Sequence, residues 1–323
     1  MVNHKIQANA IKTAIEKSKT ILLIGHKKPD ADTLGSVCAW ISLLNSKGKH
    51  VEAFCLDPVP EQLSHLPGSD LLRADPEVFK KDVDLIIIND SGSLDYAGVD
   101  IFLANRDKTK TTLVNVDHHS TNPHYGDINL VIPDASSTTE VICRLFTHWQ
   151  EEITKPIAEA LLNGLITDTD SLTNPATSYH SLATASMLVK AGADLHDIVK
   201  RTLHAKSISD LKLWGIAMSR LKHNPTYNSV ATFIRHEEAD ELGTSETSFE
   251  GIQNYLTLIP DVDVIMVLKT QKDGSIKGSL RTTKKHIDVG QLALLFGGGG
   301  HKKASGFRVM GELQVSNNDW TIV

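Results

Sequence analysis

Thr20-Ile-Leu-Leu-Ile-Gly25, running straight into His26-Lys-Lys-Pro-Asp-Ala-Asp32, is the stretch on which the fold turns. Its first half is short, apolar and partly β-branched, and glycine ends it, which predicts a buried strand. From about Asp32 the apolar positions Leu34, Val37, Cys38, Ile41 and Leu44 recur at spacings of three and four, predicting a helix that Ser46-Lys-Gly48 stops. The same alternation continues outward. Strands are expected over residues 51–56, 84–89 and 111–116, and helices over 137–149 and 156–166, the second opening on Pro156. Residues 1–190 therefore read as an α/β domain with a doubly wound parallel sheet.

Beyond it, residues 191–225 read as a helical connector. Leu211, Trp214, Ala217, Met218 and Leu221 form one face of period 3.6, and Asn224-Pro225 breaks the pattern. Residues 226–323 read as a second, smaller α/β domain, with strands expected over 227–234, 262–270 and 275–282. A helix over 289–296 then leads into Gly297-Gly-Gly-Gly300.

Composition narrows the function. With 323 residues and 41% hydrophobic residues, two domains can each close a core, and disorder is excluded. No apolar run approaches the roughly 20 residues that span a bilayer, and the N-terminus lacks a signal pattern, so no membrane partner and a cytoplasmic location are expected. Three cysteines, Cys38, Cys55 and Cys143, are far apart among apolar neighbours and read as reduced core thiols. The 33 Lys+Arg against 39 Asp+Glu give a net charge of −6, which argues against coating of long duplex nucleic acid. The charge is uneven. Lys269 to Arg308 contains nine Lys/Arg against Asp273 and Asp288, so a cationic stretch follows a carboxylate-rich first domain.

Histidines and aspartates gather at expected strand ends, where ligand sites form in such sheets. His26, Asp30 and Asp32 follow the first strand and suit a divalent cation that accepts mixed N and O ligands, although Asp32 equally suits a helix cap. Asp90 ends the apolar run Leu85-Ile-Ile-Ile88. Asp117-His118-His119 closes a third strand. On an extended chain the two rings point to opposite sides, so one would ligate and the other face a substrate, with Asp117 orienting a ring. Asp168, in Thr167-Asp168-Thr169-Asp170, is expected in a loop after its helix, near a cation or forming a turn. Gly297–Gly300 with His301, Lys302 and Lys303 reads as a close-approach seat for an anion, and Arg281 as a bidentate phosphate grip.

Taken in order, His26-x3-Asp30-x-Asp32, Asp90, Asp117-His118-His119, Asp168 and Gly-Gly-Gly-His301 resemble the DHH phosphoesterases. The glycine-rich element resembles the DHHA1 type, and the size resembles the NrnA-like oligoribonucleases that also dephosphorylate 3′-phosphoadenosine 5′-phosphate. The resemblance implies two Mn²⁺ ions, with Mg²⁺ or Co²⁺ as alternatives. One would be held by His26, Asp30 and Asp90, the other by Asp32, Asp90, His118 and Asp168, with Asp90 bridging. It further implies that His119 contacts the scissile phosphate, that Asp117 supports it, and that Arg281, Gly298, Gly299, Gly300 and His301 hold the nucleotide. The substrate would be a short oligonucleotide or nucleotide, and a homodimer is left open. Lys27, Lys28 and Asp170 depart from the family's usual residues. Two other readings are an inorganic pyrophosphatase of the family-II kind, whose Ser-Arg-Lys-Lys signature is absent here, and a nucleotide sensor without turnover.

Overall fold

In the computed structural model Thr20–Ile24 is a strand (β1) buried through its last four residues, and the first unit is built around it. Residues 4–202, 207–244, 246–249, 251–300, 302–316 and 319–323 are described. They belong to two compact units, Met1–His204 and Ala205–Val323.

In the first unit β1 is joined by β2 (His50–Phe54), β3 (Leu72–Arg73), β4 (Leu85–Asn89), β5 (Thr112–Asp117) and β6 (Ile128–Val131). The six strands are all parallel, in the order β3-β2-β1-β4-β5-β6. Strand β1 therefore has β2 on one side and β4 on the other, which makes the β1/β4 edge the point where the winding reverses. The central strands are apolar on both faces because both faces are covered. Ile21, Leu23, Leu85 and Ile87 point into one core with Leu34, Phe146 and Leu161, while Leu22, Ile24, Ile86 and Ile88 point into another with Phe54 and Val99. The helices are α1 (Lys5–Lys17), α2 (Ala31–Ser46), the one-turn α3 (Leu94–Ala97) and α4 (Asp100–Leu103), α5 (Thr138–His148), α6 (Lys155–Asp168), α7 (Tyr179–Lys190) and α8 (Leu195–Thr202). Cys38, Cys55 and Cys143 are buried and unbonded to one another.

The second unit begins its core with helix α9 (Ile208–Ser219), whose Leu213 and Ala217 are buried against Ile265 and Val267. Leu211, expected on the buried face, is exposed; the face is rotated toward Leu213. A six-stranded sheet follows from β7 (Lys222–Asn224), β8 (Ser229–Ile234), β9 (Val264–Thr270), β10 (Ser275–Arg281), β11 (Gly299–Gly300) and β12 (Ala304–Met310). Its order is β11-β12-β10-β9-β8-β7, with only β8 and β9 parallel. Short helices α10 (His236–Glu241), α11 (Ile252–Tyr255) and α12 (Val289–Leu294) and a hairpin of β13 (Leu313–Ser316) and β14 (Asp319–Ile322) complete it. No helix among the described residues is long and apolar enough to cross a membrane.

Candidate metal centre

The reversal point of the first sheet carries the site. His26 lies just past β1, Asp90 just past β4, and Asp117 is the last residue of β5, so three neighbouring strands deliver polar groups to one edge. Helix α2 starts at the same edge. Asp30 is its N-cap, its Oδ1 accepting from Asp32 N and Thr33 N at 3.0 Å each. The cap is thus Asp30, not Asp32, and Asp30 keeps Oδ2 for the site, 3.8 Å from His26 Nε2. Asp168 is the last residue of α6, not a loop residue, because the helix runs on past Ile166. Two glycines let α6 lie against α2. A Cβ at Gly35 would stand 2.3 Å from Ala160 O, and one at Gly164 would stand 2.7 Å from Asp32 Oδ1.

Asp90 is the hub. Its φ of 58° is left-handed, a strained conformation for aspartate that persists where the surroundings over-determine it. One carboxylate oxygen, Oδ2, lies 3.5 Å from His26 Nε2 and accepts from Thr33 Oγ1 at 2.7 Å. The other, Oδ1, lies 3.8 Å from both His118 Nε2 and His119 Nδ1 and accepts from Thr138 Oγ1 at 3.0 Å. His118 Nε2 is in turn 3.5 Å from Asp168 Oδ2. Three overlapping sets result: His26, Asp30 and Asp90; Asp32, His118 and Asp168; and Asp90, His118 and His119, with donor atoms in each within 4.8 Å of one another. Both histidines therefore reach the same edge, against the expectation that they would diverge. Strand β5 stops at Asp117, so the alternation of an extended chain no longer governs them, and the two rings sit 4.6 Å apart.

The supporting bonds fix which atoms face inward. Lys27 O, which can only accept, is 2.7 Å from His26 Nδ1, and Ala135 O is 3.3 Å from His118 Nδ1, leaving each Nε2 to the site. Asp117, fully buried, accepts from His118 N at 2.8 Å and Asn122 Nδ2 at 2.6 Å, and lies 2.7 Å from His119 Nδ1. Asp32 Oδ1 accepts from Thr139 N and Oγ1, and Oδ2 from Thr138 N.

Electrostatically the edge is a crowd of like charges. Burial and then the neighbouring carboxylates push Asp32 and Asp168 well above the ordinary aspartate range. Asp90 goes the other way: burial would raise it, but the His26 contact and the nearby imidazoles hold it well below that range. Burial would likewise lower His26, yet Asp30 and Asp90 push it up to about 12. Carboxylates so close favour a positive charge among them. Hard oxygens combined with imidazole nitrogens fit a divalent cation such as Mn²⁺, Mg²⁺ or Co²⁺, and rigid outer bonds of this kind accompany metal ligands.

The sequence matches the DHH family, N-terminal domain, over residues 20–165, and the DHHA1 domain over residues 226–317. The chain carries a DHH domain followed by a DHHA1 domain. It is 25% identical over 293 residues, 90% of this chain and 84% of the other, to the bifunctional oligoribonuclease and PAP phosphatase NrnA of Thermus thermophilus. It is also 25% identical to the Bacillus subtilis protein of that name, over 89% of this chain and 88% of the other. Among solved structures, an exopolyphosphatase-related protein from Bacteroides fragilis superposes with a TM-score of 0.89 at 27% identity, covering 95% of this chain and 92% of that one.

In the DHHA1 domain the glycine segment has a structural task as well. A Cβ at Gly298 would stand 2.2 Å from Gly306 O, and Gly300, with φ of 136°, would meet Ser305 Cα at 2.6 Å, so both are required by the close β11–β12 pairing. Gly299 opens onto free space. Arg281 ends β10, half-buried, its Nε donating to Asn254 Oδ1 at 3.1 Å. His301 lies outside the described residues. In the DHH domain Lys27 pairs with Asp95 at 3.4 Å, and Lys28 and Asp170 take left-handed backbone. Thr138 and Thr139 lie in the run Ala135–Glu140, which also resembles a family segment, but sequence alone assigns no role to them or to Thr33 and Asn122. Their signal was faint: a hydroxyl or amide near an aspartate is common in turns, and only the folded sheet edge brings these to Asp32, Asp90 and Asp117.

Proposed function

We propose that this chain is a metal-dependent phosphoesterase that hydrolyses short oligonucleotides, such as the dinucleotide pApA, and removes the 3′-phosphate of 3′-phosphoadenosine 5′-phosphate. The observation that carries the reading is Asp90, whose two oxygens face two different ligand groups across the winding reversal. In this reading His26, Asp30 and Asp90 would hold one cation, and Asp32, Asp90, His118 and Asp168 a second, with Mn²⁺ as the favoured ion. Two such cations, when bound, activate water and stabilise the leaving oxygen of an in-line displacement at phosphorus.

The chain's own residues do the rest. Asp117 engages His119 Nδ1, so the ring is held in one orientation and would contact a phosphoryl oxygen through Nε2. The hydroxyls of Thr33 and Thr138 and the amides of Thr138 and Thr139 keep Asp90 and Asp32 from rotating, so the ligands need little reorganisation during the reaction. In the DHHA1 domain Arg281, steadied by Asn254, would pair with a substrate phosphate, and Gly298, Gly299, Gly300 and His301 would approach the nucleotide. Nucleotide substrates and unpaired thiols fit a cytoplasmic setting. The activities for which the two NrnA relatives are named support the substrate class.

The test is a Mn²⁺-supplemented assay of the purified chain on pApA, 3′-phosphoadenosine 5′-phosphate, a cyclic dinucleotide, pyrophosphate and polyphosphate. Turnover of pApA and of the bisphosphate is expected to exceed that of the others. Turnover confined to pyrophosphate or polyphosphate would replace this reading with a phosphoanhydride hydrolase, and binding without turnover of any would leave a sensor.

A further inference from the structure

The sheet of the second unit is covered unevenly. One face, with Leu268, Ile276, Leu280 and Phe307, is packed against Val289, Ala293 and Leu313. On the opposite face Leu213, Ala217 and Ile252 cover the β8–β9 half, through Val230, Ile265 and Val267, and α11 reaches the end of β10, where Asn254 accepts from Arg281. The β10–β12 half of that face carries Lys277, Ser279 and Arg281 beside Arg308, Gly306 and Ala304.

Across this half the register sets three cations in line. Arg308 lies opposite Lys277, and Lys277 opposite Lys269, on the adjacent strands β12, β10 and β9. Like charges directly opposed on neighbouring strands repel, so the sheet gains nothing for its own stability from the row. Lys277 is exposed and makes no ion pair among the described residues. Beside the row Asp273 lies 3.3 Å from Arg308, and Asp240 pairs with Lys272 at 2.8 Å. Lys269 Nζ stands 3.6 Å over the Phe249 ring. Next to the row is a cavity of about 390 Å³ lined by Lys269, Lys272, Arg308 and His236 together with Asp240 and Asp273. Arg281 points to the same face four residues along β10, about 13 Å from Lys277 by strand rise. Between them lie Ser279 and Gly306, small enough for a sugar–phosphate backbone to pass close to the sheet.

We propose that Lys269, Lys277 and Arg308 form a second phosphate seat, and that the span from Arg281 to it along β10 is a ruler for single-stranded oligonucleotide length. The inference rests on the reading of Arg281 as a phosphate contact. A dinucleotide held at Arg281 stops short of the row. A longer oligomer lays a backbone phosphate on it and gains affinity that is strongly salt-dependent.

The experiment compares the metal-loaded wild type with Lys277→Gln/Arg308→Gln. It uses 5′-phosphorylated RNA dimers and pentamers for kcat/KM, and their phosphorothioate forms for equilibrium binding across a salt series. The pentamer-to-dimer ratio of kcat/KM is expected to fall roughly tenfold, with pentamer affinity falling by a similar factor. The slope of log affinity against log salt should be shallower by about 1.4, for two lost contacts to a single strand. The charge-retaining Lys277→Arg/Arg308→Lys pair should restore the ratio. An unchanged pentamer affinity and salt slope would overturn the seat, and an equal loss for dimer and pentamer would overturn the ruler. Should the wild type hydrolyse neither oligomer while the length-dependent binding loss persists, the phosphoesterase reading fails and the seat stands.

Discussion

Both units collect like charges, and they do so in opposite ways. The first gathers Asp30, Asp32, Asp90 and Asp168 at a buried sheet edge, with Asp32 and Asp90 each held by several hydrogen bonds. The second sets Arg308, Lys277 and Lys269 in a row across a sheet face, with Lys277 exposed and Arg308 joined to Ser275 and Asp273. The difference separates two tasks. Carboxylates that must share cations at fixed places need rigid supports, because a small displacement of a ligand changes the reaction barrier. Cations that hold a flexible polyanion act through long-range attraction and tolerate motion.

The comparison breaks most directly at Asp90. Asp90→Asn keeps the shape but removes the charge shared by the ligand groups, and turnover should fall on the order of a thousandfold, with circular dichroism unchanged. Near wild-type turnover would mean the crowd is not catalytic. Rigidity itself is probed by Thr139→Val, which removes the hydroxyl that donates to Asp32 Oδ1 and leaves every proposed ligand side chain in place. A loss of about 10–100-fold in Mn²⁺ affinity is expected by calorimetry, as for other groups that orient ligands. An unchanged affinity would show that the supports are incidental. On the cationic side Arg281→Ala should raise KM about tenfold and leave kcat within about twofold, since it removes binding common to ground and transition states. A fall in kcat with constant KM would move Arg281 into the chemistry.

The smallest effect concerns an ordinary ion pair, Glu238 with Arg220, for contrast with both crowds. Partial burial raises Glu238, but the Arg220 hydrogen bonds and the Arg235 amide outweigh it and hold the carboxyl below its usual range. A carboxylate depressed on folding adds stability that is fully present above its unfolded value, roughly 4.3, and is lost as pH falls through the folded value. The stability gap between wild type and Glu238→Gln should be under about 1 kcal/mol at neutral pH, because the pair is partly solvated, and should close in acid. Urea midpoints from neutral to acidic pH will measure it; a gap that does not narrow in acid would contradict the assignment.

How far the sequence reached follows from what is local. Strands β1 and β4 announced themselves because strands buried on both faces are uniformly apolar, and each aspartate or histidine at their ends followed from chain order alone. Helix α1, strand β6 and strand β12 did not stand out. Ile128–Val131 is only four residues long, and Ala-Ser-Gly at the start of β12 reads as loop until Gly298 and Gly300 are seen packed on it. The histidine pair departs from the expectation because the strand, and with it the alternation, ends at Asp117, before either histidine. The threonine supports depend on contacts across 48 residues, from Thr138 to Asp90, up to 107, from Thr139 to Asp32, which spacing cannot encode.

Titration of the purified chain with Mn²⁺, read by calorimetry alongside pApA turnover, tests the central claim that Asp90 joins two cation sites. Two ions per chain are expected for the wild type, with at least one lost in Asp90→Asn together with turnover. Equal stoichiometry and equal turnover in the two proteins would contradict it.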